Sequence, residues 1–491
     1  MNFPRSFPCL LSCLTLAAAV SSTASLAQTD FLAGAVPVTP AAPDPAIVRA
    51  LQTIQPAHIE ETIKALVGFG TRNTLSSMET DLPPGQGINA AADWIAGQFD
   101  QISKECGGCL DVHRDTFTQP ISERVPQPTT LTNVYAVLRG SDPTQAKRMV
   151  LVTGHYDSRN TNVLDTHGSA PGANDDASGV AVSIECARAL SKLHLPSTVV
   201  FVAVAGEEQG LDGSSHLAKL AKSEGWQLEA VLNNDIVGGN TTPGDSLQLK
   251  DRVRVFSEGV PVAASPDQQR RIRALGQEND SPSRELARAI ADTARTYFPA
   301  DSGPFAPVLV FRPDRYLRGG DHSSFNREGF AAVRFTEWRE DFNHQHQNVV
   351  LPPPGSSNPD EAIKGDLIQF VDFAYVAKVA RLNAATLATL AASPGAPVKP
   401  GLETKDLDNG TTLNWEAPPG AGPEVHYDLL WRETSAPDWQ FVQKVPGYTL
   451  TVPTASVPNT LSVKVPISKD NVIFGVRSVD AAGHRSLVAV P

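Results

Sequence analysis

From Ile88 onward the apolar positions Ile88, Ala92, Ile95, Phe99 and Ile102 recur at helical intervals, which predicts an amphipathic helix facing a core. The pattern then changes. Short, nearly continuous apolar runs at Met149–Thr153, Val199–Ala205, Val231–Leu232 with Ile236–Val237, and Ala331–Phe335 predict strands covered on both faces. Between the first two runs, Val180, Ile184, Ala187 and Leu190 share one face of a helix from about Ser178 to Leu193. Strand, helix and strand at this spacing predict an α/β fold, a mostly parallel mixed sheet flanked by helices. A further long helix from Glu361 to about Ala391 closes this unit.

Pro394, Gly395, Pro397, Pro400 and Gly401 then forbid helix, so 393–402 reads as a linker between a domain at 51–392 and another at 403–491. Beyond it the periodicity becomes two, through Leu413 and Trp415, then Val425, Tyr427, Leu429 and Trp431, then Val472, Phe474 and Val476. That pattern predicts a small all-β sandwich. It resembles a fibronectin type III module, with Trp415 as the early core tryptophan and Asp480-Ala481-Ala482-Gly483 near the last strands. A module of this kind suits attachment to a surface or polymer, although Trp415, Tyr427 and Trp431 read as sandwich core and not as a ligand platform. Lying past the linker, 403–491 are expected to be dispensable for chemistry.

The other end of the chain speaks to location. Arg5, the apolar stretch Cys9–Val20 and the small residues ending Ser25-Leu26-Ala27 predict a signal peptide over 1–27 and a secreted or periplasmic protein. Leu11-Ser12-Cys13 is not read as a lipidation box, because most of the apolar region follows it. Residues 28–50, with Pro37, Pro40, Pro43 and Pro45, show no periodicity and read as a leader or propeptide remnant without a fold of its own. Removal of the signal leaves Cys106, Cys109 and Cys186, and Cys106-Gly107-Gly108-Cys109 is a candidate local disulfide in an oxidising compartment. A length of 491 residues accommodates both domains, and 41% hydrophobic with 19% charged residues is globular composition. With 53 acidic against 41 basic residues and a net charge of −12, nucleic acid is not an expected partner. No run in the mature chain is long and apolar enough to predict a membrane span.

Polar residues collect where the predicted strands end. Gly154-His155-Tyr156-Asp157-Ser158 follows the first strand, and Asn174-Asp175-Asp176 precedes the helix. Gly206-Glu207-Glu208-Gln209-Gly210 follows the second strand, Asn233-Asn234-Asp235 lies in the third, and Asp321-His322 and Asn343-His344-Gln345-His346 come later. Taken singly, these are ordinary: His-x-Asp is usually a surface pair, and acids before a helix act as caps. Taken together, carboxylates converging at the carboxyl ends of one sheet repel one another and require a counterion. Mixed imidazole and carboxylate donors favour zinc.

On these motifs, residues from about 60 to 390 resemble the co-catalytic zinc exopeptidases, a family that includes secreted bacterial leucyl aminopeptidases, glutamate carboxypeptidase and glutaminyl cyclase. The resemblance implies two zinc ions and peptide substrates. It makes His155 a ligand of one ion, Asp175 the bridge, Glu208 a ligand of the other, and Asp235 a partner of His155. The last ligand follows Glu337 and is His344 or His346, with His346 preferred. Glu207 takes the place of the general base. Asp157 would accept from the His155 ring and hold its tautomer, while Asp321 and His322 would line the pocket. The family often has a tyrosine or other donor for the oxyanion shortly before Asp-His, and here Tyr316 and Arg318 are the candidates. An aminopeptidase is the expectation. A carboxypeptidase would need Arg315, Arg318 or Arg334 to hold a free carboxylate, and a cyclase of this fold works with one zinc.

Overall fold

The computed structural model describes residues 35–299, 303–356, 363–405, 407–447 and 460–491. The expected signal peptide, residues 28–34 of the expected leader, and Glu361 lie outside them. After a two-residue strand β1 (Val36–Pro37), the chain lays down β2 (Leu110–Gln119), β3 (Thr129–Leu138), β4 (Arg148–His155), β5 (Thr198–Val204), β6 (Gln227–Asn234), β7 (Arg252–Ser257), β8 (Ala306–Val310) and β9 (Ala332–Thr336). Strands β2 to β9 form one sheet in the order β2-β3-β5-β4-β6-β9-β7-β8. Its centre, β5-β4-β6-β9, is parallel, while β2, β3 and the β7–β9 pairing are antiparallel.

The unbroken apolar runs follow from burial on both faces. Val150 and Val152 of β4 pack into the core shared with the helices Ala177–Leu190 and Phe373–Ala392. Leu151 points the other way, into a core shared with the helix Asp212–Ser223. Apart from the first residues of β4 and β6, the central strands are buried throughout, so no polar alternation is required. The chain leaves β4 for β5 over one face and leaves β5 for β6 over the other, which makes β4 the point where the connections diverge and a crevice opens at the strand ends.

Two elements differ from their sequence expectation. The last long helix begins at Phe373, where the Asp372 side chain accepts from Tyr375 N–H at 3.0 Å. Before it lie a 3-10 turn at Ile368–Phe370 and Asp366, which accepts from the N–H groups of Asn174 and Asp175, at 2.8 and 2.7 Å. The 28–50 segment is not without fold: Val36 pairs with Val442, and Pro45–Leu51 is a helix whose Ile47 and Leu51 enter the main core. Its proline content suits both roles, since Pro45 sits at the start of the helix, where no N–H is needed.

The C-terminal strands are β10 (Val398–Leu402), β11 (Thr411–Glu416), β12 (His426–Glu433), β13 (Phe441–Val445), β14 (Thr460–Val465) and β15 (Val472–Val479). They form two antiparallel sheets, β10-β11-β14 and β1-β13-β12-β15, enclosing Trp415, Tyr427 and Trp431. β10 begins inside the expected linker. The sandwich is docked, not merely tethered. Along the helix Pro282–Tyr297, Glu285 accepts from the Trp439 indole at 2.9 Å, Arg288 donates to the Pro437 carbonyl at 2.8 Å, and Asp292 receives Arg477 and Arg485 at 3.2 and 3.0 Å. Asp280 is paired with Arg432, both buried. Cys106 and Cys109 are disulfide-bonded, and Cys186 is free and buried. Among the described residues no helix is long and apolar enough to cross a membrane.

Candidate active site

The crevice at the end of β4 gathers the polar residues that the chain scatters over nearly two hundred positions. His155 is the last residue of β4, Glu207 and Glu208 follow β5 through Gly206, and Asp235 follows β6. Gly206 has φ 72°, a left-handed turn that a side chain would strain. The loop before the helix Ala177–Leu190 brings Asp175, and the loop after β9 brings His346. Gly179 lets that helix start against the strand ends, since a Cβ there would lie 2.1 Å from the Asn234 carbonyl oxygen.

Two groups of donor atoms result, each able to surround one cation: His155, Glu207 and Asp235 in the first, Asp175, Glu208 and His346 in the second. Asp175 spans them, with Oδ1 3.1 Å from His155 Nε2 and Oδ2 2.7 Å from His346 Nε2. Glu208 Oε1 lies 3.0 Å from His346 Nε2, and Asp235 Oδ1 3.9 Å from His155 Nε2. His155 Nε2 and Glu208 Oε1 are buried without hydrogen-bond partners despite these close neighbours. Atoms held this way, crowded but aimed past one another, fit a shared cation better than they fit each other. Burial works against charge on His346, yet Glu208 and Asp175 outweigh it and raise its pKa to about 11. Burial lifts the Glu207 carboxyl well above its ordinary range, with Asp235 and Glu208 adding to the rise against His155. The field of the site thus favours positive charge.

Of the two histidines left open by the sequence, His346 joins the second group. His344 stacks on Phe370 with ring centres 3.5 Å apart and meets Thr242 Oγ1 at 3.1 Å. Ile236 and His346 have φ of 61° and 54°, left-handed conformations that cost about 1–2 kcal/mol each in residues with a side chain. Asp157 accepts from the His155 ring as expected, but through its carbonyl oxygen. The His155 ring Nδ1 lies 3.1 Å from the Asp157 carbonyl oxygen and 3.5 Å from its carboxylate. The carboxylate instead accepts from the N–H groups of Glu207 and Glu208, at 3.2 and 3.1 Å, and so aims that turn.

Tyr316, expected as an oxyanion donor, is 75% exposed, lies beneath Arg312 and is absent from the cleft wall. Arg318 does line the cleft and is paired with Glu340 at 3.2 Å. Asp321 and His322 are fully buried and do not line it. His322 Nε2 meets the Pro313 carbonyl oxygen at 2.9 Å and borders a neighbouring cavity of about 440 Å³.

Residues 133–350 match peptidase family M28. A probable zinc metalloprotease of Pyricularia oryzae is 41% identical over 456 residues, which cover 91% of this chain and 85% of that protein. This chain belongs to peptidase family M28. A second probable zinc metalloprotease, from Leptosphaeria maculans, is 40% identical, with 92% of this chain and 97% of that protein covered. Among solved structures, the LapA aminopeptidase of Legionella pneumophila aligns at 18% identity and a TM-score of 0.47, covering 70% of this chain and 73% of that one. A Fimbriiglobus ruber glutaminyl cyclase aligns at 17% and 0.44, covering 68% and 95%.

The M28 match runs from β3 to the loop of His346, so it includes all six residues of the two donor groups. Several residues support them in ways that sequence reasoning did not assign, and one of these, Asp366, it did not name at all. Asp176 caps its helix through Gly179 N–H and also accepts from His155 N–H at 3.0 Å. Gln345 donates to Asp175 Oδ2 at 3.2 Å, and Asp366 holds the 174–175 backbone. Arg334, considered only as a carboxylate clamp, is fully buried and pairs with Asp235 at 2.7 Å. Glu337 accepts from Asn240 N–H and the Asn174 amide, at 2.8 and 3.2 Å, and burial raises its pKa to about 8. Arg334 carried a usable signal, a cation placed in the middle of an apolar strand, and so did Asp176, an acid directly before a helix.

Proposed function

We propose that this M28 peptidase is an exported aminopeptidase that holds two zinc ions and removes N-terminal residues from peptides. The observation that carries the reading is the placement of Asp175, whose two carboxylate oxygens reach histidines of different donor groups. A single carboxylate spanning two such groups is the arrangement a pair of neighbouring cations requires. The names of the relatives, probable zinc metalloproteases, support zinc as the metal.

His155 and Asp235 would hold one ion, Glu208 and His346 the other, and Asp175 both. Zinc bound there supplies Lewis acidity that polarises the scissile carbonyl and acidifies water. Glu207 lines the cleft beside these residues, and its carboxylate accepts the proton of the attacking water and delivers it to the leaving amine. Asp157 keeps Glu207 in place through the backbone. Glu123, the one carboxylate of the cleft wall given neither a metal nor the proton transfer, is available to attract the free α-ammonium of a peptide, which supports cleavage from the N-terminus. Of the arginines that a carboxypeptidase was expected to use, Arg334 is buried against Asp235 and Asp314, and Arg315 and Arg318 share Glu340.

Zinc content and hydrolysis of an aminoacyl-nitroanilide, measured beside its N-acetylated analogue, test the reading. Two ions per chain and turnover of the free amine alone are expected. Full activity with one ion would favour the cyclase type of site, and cleavage of the acetylated analogue would remove the aminopeptidase assignment.

A further inference from the structure

The cleft above the two donor groups encloses about 640 Å³, within the range that takes a short peptide, and four arginines stand in its wall. Two of them already have a carboxylate partner, although it is shared with Arg254 as well. Arg315 and Arg318 both pair with Glu340, at 3.0 and 3.2 Å. The other two are held by carbonyl oxygens: Arg124 donates to Glu208 O at 3.0 Å, and Arg159 to Asn160 O and Thr161 O at 3.0 and 3.2 Å. Carbonyls fix a guanidinium without cancelling its charge, and each fork keeps further N–H donors free. Among the described residues neither Arg124 nor Arg159 has a carboxylate within ion-pair distance.

Both are also fixed relative to the second donor group. Arg124 is bonded to the backbone of Glu208 itself. The loop of Arg159 is tied to the loop of His346 through Thr161 and Asn348, which exchange hydrogen bonds of 3.3 and 3.1 Å. This side of the cleft therefore presents positive charge in a defined place. A peptide's free α-ammonium is repelled from it, so the end of the substrate that approaches these arginines is the other one.

We propose that Arg124 and Arg159 bind a carboxylate on the leaving-group side of the scissile bond, which makes short peptides carrying such a carboxylate the preferred substrates. The proposal rests on the aminopeptidase reading above. The carboxylate is either the free C-terminus of a dipeptide or an acidic side chain just beyond the cleaved bond. Both present two planar oxygens to a guanidinium, the geometry that Arg matches and Lys does not.

The test compares Leu-Ala, Leu-Ala-amide and Leu-Asp-amide as substrates of the zinc-loaded full chain, with Arg124→Gln, Arg159→Gln, the double variant and the two Lys variants. The wild type should favour a carboxylate-bearing substrate over Leu-Ala-amide by about tenfold in kcat/KM, expressed mainly in KM. In the double variant that ratio should fall toward one, and the Lys variants should retain part of it. Added salt should raise KM for the favoured substrate more than for the amide. Faster cleavage of Leu-Ala locates the ligand at the C-terminus, and faster cleavage of Leu-Asp-amide locates it at the side chain. Equal wild-type kcat/KM for all three, or an undiminished ratio in the double variant, overturns the proposal. Should a Gln variant fail to fold, judged by zinc content and melting, the Lys variants and the wild-type salt titration decide. Hydrolysis of N-acetyl-Leu-Ala would count against the aminopeptidase reading and leave the arginine preference standing as a separate result.

Discussion

Replacing Arg334 by Met removes the one cation between two buried carboxylates. Arg334 donates to Asp235 at 2.7 Å and reaches Asp314 at 3.4 Å, and it also donates to the Gly319 carbonyl at 3.0 Å. Burial opposes its charge, but Asp235 and Asp314 outweigh that and hold its pKa above the ordinary arginine value. Leaving a buried charge without its partner costs about 3–5 kcal/mol. At roughly 2 °C per kcal/mol for a domain of this size, the metal-free variant should melt about 6–10 °C below the metal-free wild type. Zinc should narrow the gap, because it recharges the surroundings of Asp235, but should not close it, because Asp314 loses Arg334 and keeps only Arg315 as an ion-pair partner within hydrogen-bond distance. An unanchored Asp235 should also bind metal about 10- to 100-fold more weakly. Melting with and without zinc, and competition for zinc against a chromophoric chelator, measure both effects. Arg334→Lys, which keeps the charge but not the fork, should lie between. Zinc affinity within threefold of wild type, with an unchanged metal-free melting temperature, would refute the assignment of Arg334 as the residue that positions Asp235.

Three further outcomes are expected. Glu207→Gln should keep its zinc and its fold while kcat falls about 10²–10⁴-fold; a variant retaining half the wild-type kcat would show that Glu207 is not the base. Truncation after Ala392, which on sequence grounds should leave turnover nearly intact, removes Trp439, Arg432 and Arg477 from Glu285, Asp280 and Asp292. The remaining domain should therefore melt well below the full chain, and equal melting temperatures would show that the docking contributes nothing. Burial raises Glu285 to about 7 in spite of Arg288 and Trp439, so its proton is bound more tightly in the folded chain than in the unfolded one, where a glutamate titrates near ~4.3. Stability from this group is complete below that lower value and is lost as pH rises through about 7, by at most about 4 kcal/mol; Glu285→Gln should flatten the pH dependence of melting in that window, and an unflattened curve would place the dependence elsewhere.

The α/β class, the central strands and the positions at their ends where chemistry gathers were all readable from the pattern of residues along the chain. This is so because a strand buried on both faces must be continuously apolar, and any polar residue interrupting or ending it stands out. His155, Asp175, Glu207, Glu208 and Asp235 were all legible in this way, each at a strand end or a helix start. The sequence only preferred His346 over His344, and the tertiary structure separates them, placing His346 in the second donor group and His344 against Phe370. It also decided that Asp157 aims the Glu207–Glu208 turn, that Tyr316 faces solvent, and that Arg334 belongs to Asp235. The same holds for the Ala/Pro-rich segment, whose Val36 joins a strand more than four hundred residues away, and for the sandwich docked on the helix Pro282–Tyr297. The reason is common to all of these. Local pattern reports whether a side chain is buried, but which partner it meets there depends on contacts between segments distant in the chain, and those leave no periodicity to read.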